Sequence, residues 1–368
     1  MFMMQKGEFM TMEDRKKTVH HDTEKYDSEK YDTEKPVRIR RRKKKHTGHS
    51  TPKSSVSSKT LLLHGGFVAL ILLITVIGIV RLVQWNKGRE SDYDPNEIST
   101  EFDTETEDYL MPLDSKTAEL QKDDGVNTIL LLGNDQFARE RGENGIGGQI
   151  AALTGGTVYN CSFDNTYLGL KNTVYDEDYP TDAFNLYWVV MCMTMNDYTL
   201  LENTVKQWDR DDNAPDTIET LKNLDMSTVD TVVIMYDAND FLKGRILAGP
   251  YDETTAVTCC GCLQQSIVLL KQTFPQMRII VSSPYFTYAE DKEGNLQPGS
   301  LVDYGQGTLP DYMIAYKNIA VNNGVSFIDN YFGSITEDNY SQYLQEDRFN
   351  LNDAGRALIA KRIAEFIG

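Results

Sequence analysis

Residues 125–368 are expected to fold as a three-layer α/β sandwich around a five-stranded parallel sheet, preceded by a single transmembrane helix. Three observations predict this. Short, wholly apolar runs alternate with longer amphipathic segments after residue 125, the pattern of strands buried on both faces by helices. The 244 residues involved suit one domain of ordinary size. Upstream, residues 60–80 carry no acidic or basic side chain except His64, and about 20 apolar residues suffice for a helix to cross a bilayer.

The first strand is Thr128-Ile-Leu-Leu-Leu132, followed by Gly133. Ile146–Thr154 reads as a helix that ends at Gly155-Gly156, and Thr157–Cys161 as a second strand. Ala183–Gln207 is a long helical stretch rich in Met and aromatic residues. Thr231–Tyr236 and Arg278–Ser282 are the third and fourth strands. A β-hairpin spans Phe286–Leu301, with Glu293-Gly294-Asn295 at its tip. Ser326–Asp329 is a short fifth strand. Leu351–Ile367 closes the chain as a helix with Ala354, Leu358, Ile359, Ile363 and Phe366 on its apolar face.

The N-terminal third divides by charge. Residues 1–59 hold 16 Lys and Arg against 9 Asp and Glu, whereas the remainder holds 21 against 46. Basic residues crowd into Arg38–Lys45, just before the apolar run. Lys and Arg remain on the cytoplasmic side of a membrane, so residues 1–59 are expected inside and the acidic domain outside the cell membrane. About sixty residues precede the run, and Arg81–Trp85 is a poor cleavage site, so residues 60–83 read as an uncleaved single-pass anchor in the lipid bilayer. The tail repeats Asp-Ser/Thr-Glu-Lys-Tyr at Asp22–Tyr26 and Asp27–Tyr31, then Asp32–Lys35 runs into Pro36. Such segments bury too little apolar surface to fold. Residues 84–124 read as an acidic linker.

Cys161, Cys192, Cys259, Cys260 and Cys262 are the only cysteines. Cys259–Cys262 contains a C-x-x-C spacing, but no second pair or histidine pair completes a zinc site. Small buried thiols at a helix start are the expectation.

In parallel α/β sheets, ligands bind beyond the carboxyl ends of the strands. The residues there are Gly133-Asn134-Asp135, Asn160-Cys-Ser-Phe-Asp164-Asn165, Asp237-Ala-Asn239-Asp240, and Asp347-Arg-Phe-Asn350-Leu351 before the last helix. On these four blocks the chain resembles the SGNH (GDSL) hydrolases, which are flavodoxin-like esterases and acetyl-hydrolases. The resemblance covers residues 125–368. It implies that Asp135 stands at the nucleophilic serine, Asn350 at the catalytic histidine and Asp347 at its orienting aspartate. Asn239 stands at the side-chain oxyanion donor, and Asp164 or Asn165 at the glycine whose N–H is the other donor.

Two of the three triad members are therefore replaced. All five histidines (His20, His21, His46, His49 and His64) precede the domain, so none supplies the base that a hydroxyl nucleophile needs. The expectation is a catalytically silent domain whose cleft binds a ligand or partner, with a glycan or cell-envelope polysaccharide favoured. The alternative is an active esterase, acetyl-hydrolase or O-acetyltransferase on cell-surface carbohydrate with a non-standard site. Ca²⁺ or Mg²⁺ binding and a glycosidase-like carboxylate pair are lesser readings of the same acidic cleft. The crowded carboxylates predict at least one raised pKa unless a cation compensates. No phosphate-binding loop, haem or nicotinamide motif or nucleic-acid module is present, so no cofactor, metal or nucleic acid is expected.

Overall fold

The computed structural model describes residues 106–122, 124–172, 176, 178–208, 212–249 and 255–368. The tail at 1–59, the apolar run at 60–83 and the linker up to 105 lie outside the described residues. Among the described residues no helix is long and apolar enough to cross a membrane.

Five parallel strands form the main sheet: β1 Thr128–Gly133, β2 Thr157–Asn160, β3 Thr231–Met235, β4 Arg278–Ser282 and, after the hairpin strands β5 Tyr288–Glu290 and β6 Leu296–Pro298, β7 Ser326–Ile328. Their order is β2-β1-β3-β4-β7, the flavodoxin-like arrangement with its switch point between β1 and β3. Every residue of β1 and β3 is buried, which requires cover on both faces. That is why these strands read as unbroken apolar runs rather than alternating ones.

The cover comes from helices α1 Asp135–Ala138, α2 Ile146–Thr154, α3 Leu186–Met195, α4 Thr199–Trp208, α5 Ala214–Asn223, α6 Asn239–Leu242, α7 Cys259–Thr273, α8 Leu309–Asn322 and α9 Asp353–Ile367. Helix α2 packs on α9, while α3 packs on α7 and α7 on α8. Each start has a local cause. The side chains of Asn185, Thr258 and Asn352 accept from the N–H groups of Trp188, Gly261 and Gly355, and Thr308 with Asp311 forms a capping box. Helix α2 stops at Gly155, whose φ of 70° suits glycine.

Three sequence expectations need correction. The single helix over Ala183–Gln207 is a 3₁₀ turn at Pro180–Phe184 followed by α3 and α4, because Asn196 takes a left-handed φ of 50° and ends α3. Ala354 is exposed. The last helix begins at Asp353, and its buried stripe is Gly355, Ile359 and Ile363, with Ala360 beside it. Residues 106–122, read as the end of the linker, pack on the domain. Tyr109 exchanges both backbone hydrogen bonds with Phe327 of β7, at 2.9 and 2.8 Å. Met111 N–H donates to Ser326 Oγ at 3.0 Å, and Arg362 holds Asp108 at 2.8 Å.

The hairpin forms as expected, turning at Gly294 with φ 80°. Its root is tied to the fourth block: the Tyr288 N–H and the Thr287 hydroxyl both donate to the Arg348 carbonyl. All five cysteines are buried, and none is joined in a disulfide. Burial pushes the Cys161 thiol up to about 12 and that of Cys192 to about 11. They pack as small apolar side chains rather than as reactive thiolates.

Gly133 shows how tightly β1 and β3 approach. A Cβ there would lie 2.0 Å from the Met235 carbonyl oxygen, a backbone atom that cannot step aside alone. Gly133→Ala is expected to cost about 1–3 kcal/mol of stability, the usual range for overpacking. Urea denaturation of the variant and the parent measures this, and equal midpoints would show that the strand ends are looser than described.

Candidate functional site

The site is assembled by Asn134, the residue between β1 and α1. Its Nδ2 donates to Asp237 Oδ1 at 2.8 Å, and its Oδ1 accepts from the Asp237 N–H at 3.0 Å. This reciprocal clamp joins the ends of β1 and β3 at the switch point. The same Nδ2 reaches the Thr166 carbonyl at 3.2 Å, which draws the loop after β2 into the group.

Asp135 then projects from the first turn of α1 and is 3% exposed. Its Oδ1 accepts from the Asn165 backbone N–H at 2.6 Å, and its Oδ2 from Asn239 Nδ2 at 2.9 Å. These are the two donors that the resemblance assigns to the oxyanion hole. Asn165 has φ 54°, a conformation that glycine takes freely and asparagine tolerates best among the rest. Of Asp164 and Asn165, it is Asn165 whose N–H reaches Asp135.

Arg139, one helical turn beyond Asp135, closes the cleft. Its Nη2 lies 2.5 Å from Asp135 Oδ2, its Nε 2.7 Å from Asp164 Oδ1, and its Nη1 donates to Asn350 Oδ1 at 3.1 Å. Gln136 Nε2 donates to the same Asn350 oxygen at 2.9 Å and to Asp237 Oδ2 at 3.4 Å. Asn350 Nδ2 donates to Asp347 Oδ2 at 2.6 Å. Asn350 thus reproduces the donation that a triad histidine makes to its aspartate. Its other end is a carbonyl oxygen facing two donors, not a base facing Asp135. Arg139 and Gln136 were missed in the sequence. The visible signal was the Asp135–Arg139 spacing of four on a short helix.

The carboxylates divide by environment. Burial pushes Asp135 up to about 7, with the charge of Asp237 adding and that of Arg139 opposing. Burial raises Asp237 to about 6 against the N–H donors of Asn239, Asn134 and Gln136. Asp240 is also raised to about 6 by burial, although Leu168 and Gly169 N–H groups bind it at 2.9 and 2.8 Å. At Asp347 burial acts upward but is outweighed by donors from Phe349 and Asn350, so its carboxyl sits below the usual range. Crowding and a compensating cation thus occur together. Among the described residues, no group of three His, Cys, Asp or Glu side chains is placed to hold a metal.

Gly133, Asn134 and Asp135, then Asp164 and Asn165, then Asp237 and Asn239, and finally Asp347 and Asn350 are all gathered at the carboxyl ends of the parallel strands. Order, strand ends and mutual contacts agree for all four blocks. The domain has a flavodoxin-like fold, with these blocks at one edge of its parallel sheet.

No family model matches the chain, and no curated protein matches it. Solved structures overlap it at low identity. The domain overlaps a protein named as an SGNH hydrolase from Slackia heliotrinireducens, at 17% identity, 66% of this chain, 100% of that chain and a TM-score of 0.37. The lipase/acylhydrolase from Enterococcus faecalis overlaps at 15% identity, 66% and 95% coverage and a TM-score of 0.37. A protein named as a GDSL-like lipase from Bacteroides uniformis overlaps at 12%, 66% and 95%, and 0.38. Overlap at this level adds no weight to the fold, which stands on strand order and on the placement of the blocks.

The opening beside Asp135 is small, about 170 Å³, and is lined by Gln136, Arg139, Glu140, Gln345, Asn350 and Arg356 among others. Drug-sized ligand pockets span roughly 300–1,000 Å³. A larger hollow of about 520 Å³ lies beneath residues 112–126 at the other end of the sheet and contains none of the four blocks.

The raised carboxylates make stability depend on pH. Asp135, Asp237 and Asp240 bind protons more tightly folded than unfolded, so their contribution is complete below about pH 4 and is lost as pH rises through 6 to 7. The melting temperature is expected to fall between pH 5 and pH 8. In Arg139→Ala the fall should extend to higher pH, because Asp135 loses the cation that restrains its rise. Calorimetry across this range checks both points, and a melting temperature that climbs from pH 5 to 8 would contradict the assignment.

Proposed function

We propose that this SGNH-hydrolase-like domain is a catalytically silent binding domain, held outside the cell membrane by residues 60–83, with a glycan or envelope polysaccharide as its ligand. One observation carries the silent reading: the Asp135 carboxylate occupies both oxyanion donors and is ion-paired to Arg139. An oxyanion hole accelerates acyl transfer because its donors meet charge that appears only in the transition state. Donors already bound to a resident carboxylate offer no such gain. The nucleophile also has no base, since every histidine precedes residue 65, and Asn350 cannot take up a proton at neutral pH.

The glycan reading is supported by the character of the rim. Gln136, Arg139, Glu140, Gln345, Asn350 and Arg356 line it with neutral or charged hydrogen-bonding groups, beside the apolar Leu351. Such a surface suits a hydroxyl-rich partner better than an acyl chain. The anchoring reading is supported by the apolar run and by the basic cluster before it.

Acetyl-ester hydrolysis by the full chain tests the first part. Turnover at the buffer rate is expected from the parent and from Asp135→Ala, and turnover abolished by Asp135→Ala would overturn the silent reading. Deletion of residues 60–83 tests the second. The deleted chain should leave the membrane fraction on carbonate washing while the parent stays, and equal release of both would remove the anchor.

A further inference from the structure

The amino ends of the strands carry an opening of their own, away from the four blocks. Arg278 begins β4 and is half-buried, whereas the four residues after it are buried. Its backbone N–H donates to the Asp230 carbonyl at 2.8 Å, which fixes where the side chain leaves the sheet. Two hollows of about 520 and 240 Å³ adjoin there, and Pro112, Leu113 and Arg278 line both. The larger falls within the size range of small-molecule sites.

The guanidinium in that shared wall is short of acceptors. Its Nε is buried without a hydrogen-bond partner, and Nη1 makes one long bond of 3.4 Å to the Ile367 carbonyl. The chain carries 55 Asp and Glu against 37 Lys and Arg, yet among the described residues no carboxylate is ion-paired to Arg278. Burial lowers its pKa with no neighbouring anion opposing the shift. The other charged groups lining the hollows are engaged. Asp230 accepts from the Thr128 N–H at 2.8 Å, and Asp114 from the Lys116 and Thr117 N–H groups at 3.0 and 3.2 Å. Lys122 pairs with Asp225 at 3.3 Å, and Lys271 donates to the Asn323 carbonyl at 2.5 Å. Around Arg278 the walls are largely apolar, with Leu113, Met277, Ile279 and Val325 in the smaller hollow and Ile367 in the larger.

We propose that this opening is a second ligand site, which takes a small monocarboxylate on Arg278 with its apolar body along Leu113 and Met277. The site is independent of the cleft and of the glycan reading. A planar carboxylate matches the guanidinium fork with two parallel hydrogen bonds, and so supplies the acceptors that Arg278 lacks. The apolar walls take the rest of the ligand out of water. A phosphate dianion would bring a second negative charge toward Asp230 and Asp114. A neutral molecule of the same shape would leave the guanidinium without a counter-charge, and an ammonium would be repelled by it.

Calorimetric titration of the full chain with 4-phenylbutyrate, with its neutral amide and with inorganic phosphate tests the site. The acid is expected to bind at least tenfold more tightly than the amide, and phosphate not to displace it. Arg278→Gln should remove the acid's advantage and leave amide binding and the melting profile unchanged. Where that variant fails to fold, hydrogen exchange of the parent replaces it. The acid should then slow exchange at residues 111–122 and leave residues 134–139 unaffected, and protection confined to 134–139 would overturn the site. Equal binding of acid and amide by the parent, or displacement of the acid by phosphate, would overturn the monocarboxylate assignment. Acid binding at full strength in Arg278→Gln, or none in the parent, would overturn the site itself. Each of these outcomes leaves the silent reading of the cleft standing.

Discussion

A carboxylate withdrawn from water must find a cation, several N–H donors or a proton, because the penalty for leaving it bare is several kcal/mol. Asp135 finds the first two. The left-handed backbone of Asn165 turns one N–H toward it, Asn239 supplies a second donor, and Arg139 supplies the charge. Its raised pKa leaves protonation within reach near neutral pH. Arg139 is nearly half exposed, so solvent screens part of the pair and the N–H donors carry much of the compensation. The outcome is a site satisfied in its resting state.

That arrangement depends on the sheet. In a parallel sheet all strands deliver their carboxyl ends to one edge, and at the switch point the connections diverge to open a crevice. The Asn134–Asp237 clamp spans this crevice and fixes the ends of β1 and β3. It also shapes the cleft in three dimensions, because the Thr166 carbonyl binds the same amide. Residues more than 200 positions apart, such as Gln136 and Asn350, therefore meet at hydrogen-bonding distance.

The strands were legible because burial on both faces leaves a plain apolar signature. Each of the five was placed to within a residue. Helix boundaries were less so. Between 183 and 207 the dense Met and aromatic content concealed two asparagines that act as punctuation, Asn185 as a start and Asn196 as a stop. Helices α5 and α8 announce themselves through Pro215 and the Thr308–Asp311 capping box, yet passed unread. At the site, motif positions identified Asp135, Asn239, Asp347 and Asn350. The choice between Asp164 and Asn165 needed the sign of φ, which a sequence states only weakly. Arg139 belongs to no motif block. It follows from helical spacing, which ties residues i and i+4, and from charge balance around a buried acid.

The composition shift near residue 125 marks where acidic residues thin out, whereas packing begins by Glu107. The short segment along β7 lies on the outer side of the sheet, where a bare strand would otherwise offer unpaired N–H and C=O groups to any passing chain. Tyr109 occupies that row, and Asp108 fastens it to Arg362 of the last helix. The stretch of chain leading away from the domain therefore also serves as its selvedge. A protease cut between Asp108 and the first strand would leave every residue of the cleft in place, yet convert a self-contained molecule into one with an adhesive border.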